Sequence, residues 1–494
     1  LTLADADNIW LHGLRFSGSG TGIFLDALAA DQVPSDVTIT GSVFSGLSTG
    51  ISIQGGARHA ISGNAFSGSG TGIRADATTA TAITELLIDG NSFAMTGSSG
   101  TGVNLHDAPS ATVSDNTFSG GSIGVDSSSG TSLSLLDNTF TGVTTVAARV
   151  SSGTPTISGN TFSGGGTGST AVIAFTGGLI EDNTISGSSV GLSSSSSSLV
   201  VRGNTITGNA IGFTGTAQLG GTDWSAGQAN VFTNNTLGIH ARSNASVAFN
   251  RITGGTAGIR VAYDANDPSS NYAAVSLHHN VVVGQSGHGI LVDRGDGVTI
   301  VNNTVVPAAA GDGIRIQNQS EDVALRNNII SVDTGTALHV ATNSQLGFTS
   351  NYNNLYRTPD GTGTLVWFQK PFTDLFDWQV EADYDTRSIG FTAPDPVRDA
   401  PKFVDTAGGD YRLAPGSTSI DAGSPADAFA LEPGVNGRRI DLGAYGNTAL
   451  ASESASQALR LVYPEYYTDW PATEGRPIQW ASFDVATGDG VLAG

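Results

Sequence analysis

Residues 116–164 hold three near-copies of one phrase: Asn116-Thr-Phe118-Ser-Gly120, Asn138-Thr-Phe140-Thr-Gly142 and Asn160-Thr-Phe162-Ser-Gly164. Outward from this stretch the phrase recurs as Asn64-Ala-Phe, Asn91-Ser-Phe, Asn183-Thr-Ile and Asn204-Thr-Ile. It resumes as Asn250-Arg-Ile, Asn280-Val-Val, Asn303-Thr-Val and Asn328-Ile-Ile. From Asn64 to Asn204 the successive steps are 27, 25, 22, 22, 23 and 21 residues. A period of this length marks a solenoid, because one unit cannot bury its apolar face alone and must stack on the next.

Each unit carries a second mark, a Gly followed by an apolar residue and then alternation. Examples are Gly22-Ile-Phe-Leu-Asp, Gly72-Ile-Arg-Ala-Asp, Gly102-Val-Asn-Leu-His, Gly258-Ile-Arg-Val-Ala and Gly313-Ile-Arg-Ile-Gln. Alternation predicts a short strand with one buried face. Two or three such strands per unit, separated by Gly, Ser and Asn turns, make one rung of an all-β parallel β-helix. Roughly fourteen rungs at about 4.8 Å give a rod about 65 Å long. Equivalent residues then form columns. The Asn column is expected in a turn, bonding amide to amide. Two residues on, Phe44, Phe66, Phe93, Phe118, Phe140 and Phe162 predict an interior aromatic stack. It gives way to Ile185, Ile206, Phe232, Ile252, Val282, Val305 and Ile330. Both columns read as scaffold. The 67 glycines among 494 residues fit many tight turns and do not follow the collagen period.

The formal charge of -22 opposes nucleic acid and anionic lipid as partners. The absence of Cys excludes disulfides, thiolate zinc sites and a Cys nucleophile. No apolar run approaches the roughly 20 residues of a membrane helix. The chain is in repeat style by Asn8-Ile-Trp, so it reads as a piece of a longer, processed protein with further domains.

The Asn ladder and Gly-Ile strands resemble the right-handed parallel β-helix proteins of the pectin-lyase-like superfamily over residues 1–345. A further string follows: Asn351-Tyr-Asn-Asn-Leu-Tyr, Pro401-Lys-Phe-Val-Asp, Gly409-Asp-Tyr-Arg-Leu, Ser419-Ile-Asp-Ala-Gly and Arg439-Ile-Asp-Leu-Gly-Ala-Tyr-Gly. It is similar to the C-terminal region of large secreted bacterial β-helix proteins. That resemblance implies an extracellular or cell-surface location. Because the last rung of a solenoid exposes strand edges, 346–450 is expected to hold the final rungs and a cap. Arg460-Leu-Val-Tyr-Pro and Gly475-Arg-Pro-Ile-Gln-Trp-Ala-Ser-Phe resemble the first strands of an immunoglobulin-like module. Residues 459–494 are therefore read as a linker and its truncated start, or as a tail packed on the cap.

Enzymes of the superfamily carry recognisable clusters. Gly287-His-Gly289 and Arg315-Ile-Gln317 resemble parts of the polygalacturonase set, but the chain has no Asp-Asp. Without that pair the water-activating step has no candidate. His288 sits where every rung has its Gly-Ile strand start and reads as scaffold. The Asp-Pro-His-Glu signature of alginate epimerases is absent.

One constellation remains. Outward positions of the Gly-Ile strands carry His240, Arg242, Arg260, Asp293, Arg315 and His339, with Tyr263 and Asp264 opening an inserted loop beside them. Earlier rungs carry mostly Ser, Thr, Asn, Gln or Asp there. These eight residues are candidates for glycan contact; the competing reading is charge pairing, with Arg260 and Arg315 flanking Asp293. A second inserted loop spans 215–230, and such loops often emerge on a binding face. Asp5-Ala-Asp-Asn8, Asp264-Ala-Asn-Asp267 and Asp293-Arg-Gly-Asp296 offer oxygen ligands for a weak structural Ca²⁺, and no cofactor is otherwise implied. Two functions follow. One is a non-catalytic structural or adhesive β-helix touching polysaccharide or other cell-surface components. The other is a polysaccharide lyase or related carbohydrate-active enzyme acting on an acidic glycan.

Overall fold

The computed structural model describes residues 1–27, 33–68, 70–77, 81–108, 110–225, 227–262, 274–391, 398–434 and 436–455, with 457–463, 479–484 and 489–493 as backbone only. The chain divides into two compact units, Leu1–Gly220 with Asn230–Ile239, and Gly221–Ala229 with His240–Gly494. Both are parallel β-helices, each rung made of three short strands.

In the first unit the Gly-Ile strand leads the rung, as in Thr101–His106, Ile123–Ser128 and Val146–Val150. The second strand follows, as in Ser110–Ser114 and Ser132–Leu136. After the Asn turn comes the third, as in Thr117–Gly120 and Thr139–Thr141. Neighbouring rungs pair in parallel with like residues in register: Val103 with Val125, Val113 with Leu135, Phe118 with Phe140. Period-2 alternation sends Ile, Leu, Val and Phe inward and the hydroxylated residues outward.

Two columns hold the rungs together. The Phe column stacks face to face from Phe16 to Phe162, with ring centroids 4.5–5.2 Å apart. Phe16 extends the expected column by one rung. The Asn side chains form a buried ladder, each Nδ2 donating to the next Oδ1 at 2.9–3.0 Å from Asn64 to Asn230. Each of these Oδ1 atoms also accepts the preceding ladder residue's backbone N–H. The amides so satisfy buried backbone groups that the turn would otherwise strand.

The glycines serve two purposes. Gly63, Gly90 and Gly159 hold positive φ just before the ladder residue, a turn geometry that suits glycine. The glycine of Gly-Ile has ordinary φ and is required for space. A Cβ at Gly102 would lie 2.6 Å from the Phe118 ring and 2.7 Å from the Gly124 carbonyl.

The second unit repeats the pattern through 257–262, 288–293, 312–317 and 336–340, with its own ladder Asn250–Asn280–Asn303–Asn328–Asn353 at 2.9–3.1 Å. The ladder ends on a buried acid. Asn353 Nδ2 donates to Asp385 Oδ1 at 3.0 Å, and Trp378 Nε1 donates to Asp385 Oδ2 at 3.1 Å. Trp378 lies on the one α-helix among the described residues, Leu375–Ala382, which Asp374 caps by accepting the Phe376 amide at 2.8 Å.

The stretch expected to cap the helix has two parts. Residues 364–391 hold the last rung strand, an antiparallel partner at Lys370–Phe372, and the helix. Residues 401–455 instead run along the flank of the second unit. There the position before each ladder Asn changes from Gly or Asp to Phe249, His279, Asn302, Asn327 and Tyr352, all at positive φ. This column docks the strap. His279 Nε2 donates to the Gly446 carbonyl at 2.9 Å, Asn302 Nδ2 to Asp441 O at 3.3 Å, and Asn327 Nδ2 to Asp427 Oδ2 at 2.7 Å. Val281, Val283, Tyr411, Ala444 and Tyr445 form a core beneath it. Strands 457–463, 479–484 and 489–493 form an antiparallel three-stranded sheet. No helix among the described residues is long and apolar enough to cross a membrane.

Candidate functional site

Parallel register brings outward residues of successive Gly-Ile strands side by side in the second unit. Leu291 pairs with Arg315, Arg315 with His339, Asp293 with Gln317, and His288 with Asp312. Two charged groups result. In the first, Arg260 Nη2 donates to Asp293 Oδ2 at 2.6 Å, and Asn318 Nδ2 donates to Asp293 Oδ1 at 2.8 Å. In the second, Asp312 Oδ2 lies 3.3 Å from His288 Nδ1 and 3.7 Å from Arg315 Nη1. Arg315 Nε also donates to Gln317 Oε1 at 2.7 Å.

The pairing expected of Asp293 is half realised. Arg260 reaches it, whereas Arg315 turns to Asp312 and Gln317 on its own strand and leaves Asn318 to complete Asp293. His288, which reads as strand-start scaffold, projects outward beside Asp312 because its side chain precedes the inward Gly289. Asp312 and Gln317 were visible as outward residues of the same strand as Arg315, and only their rung-to-rung register gives them meaning. His240 and Arg242 are half-buried at the end of the strand Leu237–Ala241 and just beyond it. Tyr263, Asp264 and the loop holding them lie outside the described residues, as does Asp267.

Burial tends to raise the Asp312 carboxyl, but His288, the Thr336 amide and Arg315 outweigh it and hold the group below the usual carboxylate range. Burial and then the Arg315 cation push His339 below the ordinary imidazole value, so it is neutral at physiological pH. The face thus presents guanidinium donors, two fixed carboxylates, Asp293 and Asp312, and a neutral imidazole acceptor. Such a set can bond carboxylates and hydroxyls with defined geometry.

The loop at 215–230 serves another surface. Its Trp224 donates from Nε1 to the Ala444 carbonyl at 2.8 Å and meets Tyr445 at 5.2 Å, so it clasps the strap.

The one group of three metal-ligating acids with close-set oxygens among the described residues is Asp421, Glu432 and Asp441, inside the strap. Their oxygens accept backbone amides: Asp421 from Gly437, Glu432 from Asp441 and Asn447, Asp441 from Asp421 and Ser452. Burial, with the neighbouring Glu432 charge, pushes Asp441 up to about 8. Its folded value lies above its unfolded one, so the stability it contributes is present at low pH and is lost as pH rises toward 8. Melting temperature should therefore fall between about pH 4 and pH 8, and Asp441→Asn should flatten that fall. An identical pH dependence in parent and variant would contradict it.

Among curated proteins, none matches the chain. Among solved structures, the chain is similar to a double mutant of the periplasmic alginate epimerase AlgG, at 11% identity and a TM-score of 0.23 over 72% of this chain and 75% of that one. It is also similar to the A-module of the mannuronan C-5 epimerase AlgE4 of Azotobacter vinelandii, at 14% identity and a TM-score of 0.23 over 74% and 87%. The family model for the right-handed β-helix region matches overlapping stretches 3–162, 101–250, 148–311 and 218–371. With three-strand rungs paired in register and a family match running from residue 3 to 371, the chain belongs to the right-handed β-helix family.

Proposed function

We propose that this chain is a glycan-contacting β-helix working outside the cytoplasm, holding an acidic polysaccharide along the Gly-Ile face of its second unit. One observation carries the reading. Arg260, His288, Arg315 and His339 gather on one outward face of adjoining rungs, whereas the same face of earlier rungs carries isolated arginines, Arg74 and Arg149, among Ser52, Asn104, Asp126 and Ser193. Guanidinium groups there can grip uronate carboxylates with directional bonds, and the rod supplies a regular spacing. A role as a stiff adhesive or structural element of a larger surface protein accords with this.

The convergence of His288 and Arg315 on Asp312 favours a second reading, a polysaccharide lyase or related enzyme. Asp312 would orient His288 and Arg315 would neutralise the uronate carboxylate. The neutral His339 would accept the proton at C5.

Titrating oligouronates into the chain tests both. Arg315→Ala should weaken binding about 10-fold or more, as for a lost charge-assisted hydrogen bond. The net charge of -22 opposes an anionic ligand, so affinity should not collapse as salt rises. Formation of unsaturated product, abolished by His339→Ala, would establish the enzymatic reading. Binding unaffected by Arg260→Ala and Arg315→Ala, or mapping to rungs before residue 200, would remove this face from consideration.

A further inference from the structure

A second recess lies on the flank of the second unit, away from the charged face. Phe249 and His279 occupy the column before the ladder Asn, both at φ 55°, a backbone region that bulky side chains rarely adopt. Their rings stack 4.7 Å apart at 16°, and Trp224 meets Phe249 edge-on at 5.8 Å. With Leu431 and Leu450 they bound a cavity of about 560 Å³. That volume falls within the range of small-molecule sites. Leu431 and Leu450 are exposed by 66% and 40%, so apolar surface stands open at its mouth.

The hydrogen bonds fix the tautomers of its two histidines. The Gly446 carbonyl can only accept, so His279 carries its proton on Nε2 at 2.9 Å. His279 Nδ1 is then an acceptor, and the 3.0 Å contact with His278 Nδ1 requires the proton on His278. His278 is left with a lone pair on Nε2, on the side of its ring away from His279, and His278 lines the cavity. Burial pushes both imidazoles below their ordinary value, His279 to about 4, so neither offers a cation. The carboxylate of Asp223 also lines the recess and disfavours anions.

We propose that this cavity binds an uncharged ring compound bearing a hydroxyl donor, with the ring against Trp224 and Phe249 and the hydroxyl donating to His278 Nε2. Aromatic walls favour the flat apolar face of such a ring, and the imidazole acceptor selects for a donor. Two sources share this chemistry, an aryl alcohol and a neutral sugar.

Calorimetric titration of the full chain with phenol and with a neutral methyl glucoside separates them. Saturable binding of either identifies the source and supports the site. The expected loss in His278→Phe, which keeps an aromatic ring and removes the acceptor, is on the order of 10-fold. Leu450→Trp, which fills the mouth from an exposed position, should abolish binding even if the first variant folds poorly. Absence of saturable binding with both probes overturns the proposal. So does glucuronate binding as well as the neutral glucoside, or unchanged affinity in both variants.

Discussion

Replacing Phe140 by Ala is expected to destabilise the first unit by about 3–5 kcal/mol. The ring is 1% exposed and lies between Phe118 at 4.5 Å and Phe162 at 4.7 Å. It also fills the space left by Gly124, where an added Cβ would lie 2.6 Å from its edge. The surroundings have little freedom to close such a void. Rung spacing is set by backbone hydrogen bonds above and below, as between Thr139 N and Asn116 O at 2.9 Å and Thr161 N and Asn138 O at 2.8 Å. The lost transfer energy is thus joined by a cavity term that relaxation does not remove. Chemical denaturation with far-ultraviolet detection measures the change. A midpoint equal to that of the parent would show that the stack contributes shape without stability.

Asn138→Ala is expected to cost about 3 kcal/mol or more, through unsatisfied groups rather than lost volume. Its Oδ1 accepts the Asn116 backbone amide and the Asn116 side-chain amide, both at 3.0 Å. Its Nδ2 donates to the carbonyls of Val113 and Leu136 at 2.8 and 2.9 Å and to Asn160 Oδ1 at 3.0 Å. Ala leaves these partners buried with no water to replace the amide, and each stranded group costs roughly 1–3 kcal/mol. Asn138→Asp should also destabilise, because a carboxylate supplies no donor to the two carbonyls. Thermal unfolding of both variants checks this. A melting temperature within error of the parent for Asn138→Ala would mean that solvent reaches the column.

Much of the scaffold was legible because its determinants recur at short range. Asn116, Asn138 and Asn160 each begin a phrase, and stacking like on like follows from the steps between them. The purpose of the Gly-Ile glycines was not legible, since turn and close approach call for the same residue. Gly90 holds positive φ, whereas Gly102 makes room for the ring of Phe118 on the third strand of its own rung. The strap left a trace that alternation alone does not weigh. Asn280-Val-Val-Val283 has apolar residues on both faces, where Asn138-Thr-Phe-Thr has one. Val281 and Val283 are outward in the rung and buried under Tyr411, Ala444 and Tyr445. A continuous apolar run signals a strand covered on both sides.

The sequence by itself determined the rung, the Asn ladder and the aromatic column, because each rests on residues that repeat at one period and project in alternating directions. Only the tertiary structure decided which charged side chains of the candidate face meet. Arg315 chooses Asp312 over Asp293, and His288 joins them, by differences of a few ångströms that no period encodes. It also decided where residues 401–455 lie. Arg326 finds Asp427 across 101 residues of chain, and Trp224 finds Ala444 across 220. Contacts of that separation depend on how the whole flank is shaped once the rungs have stacked, so they appear only in the folded molecule.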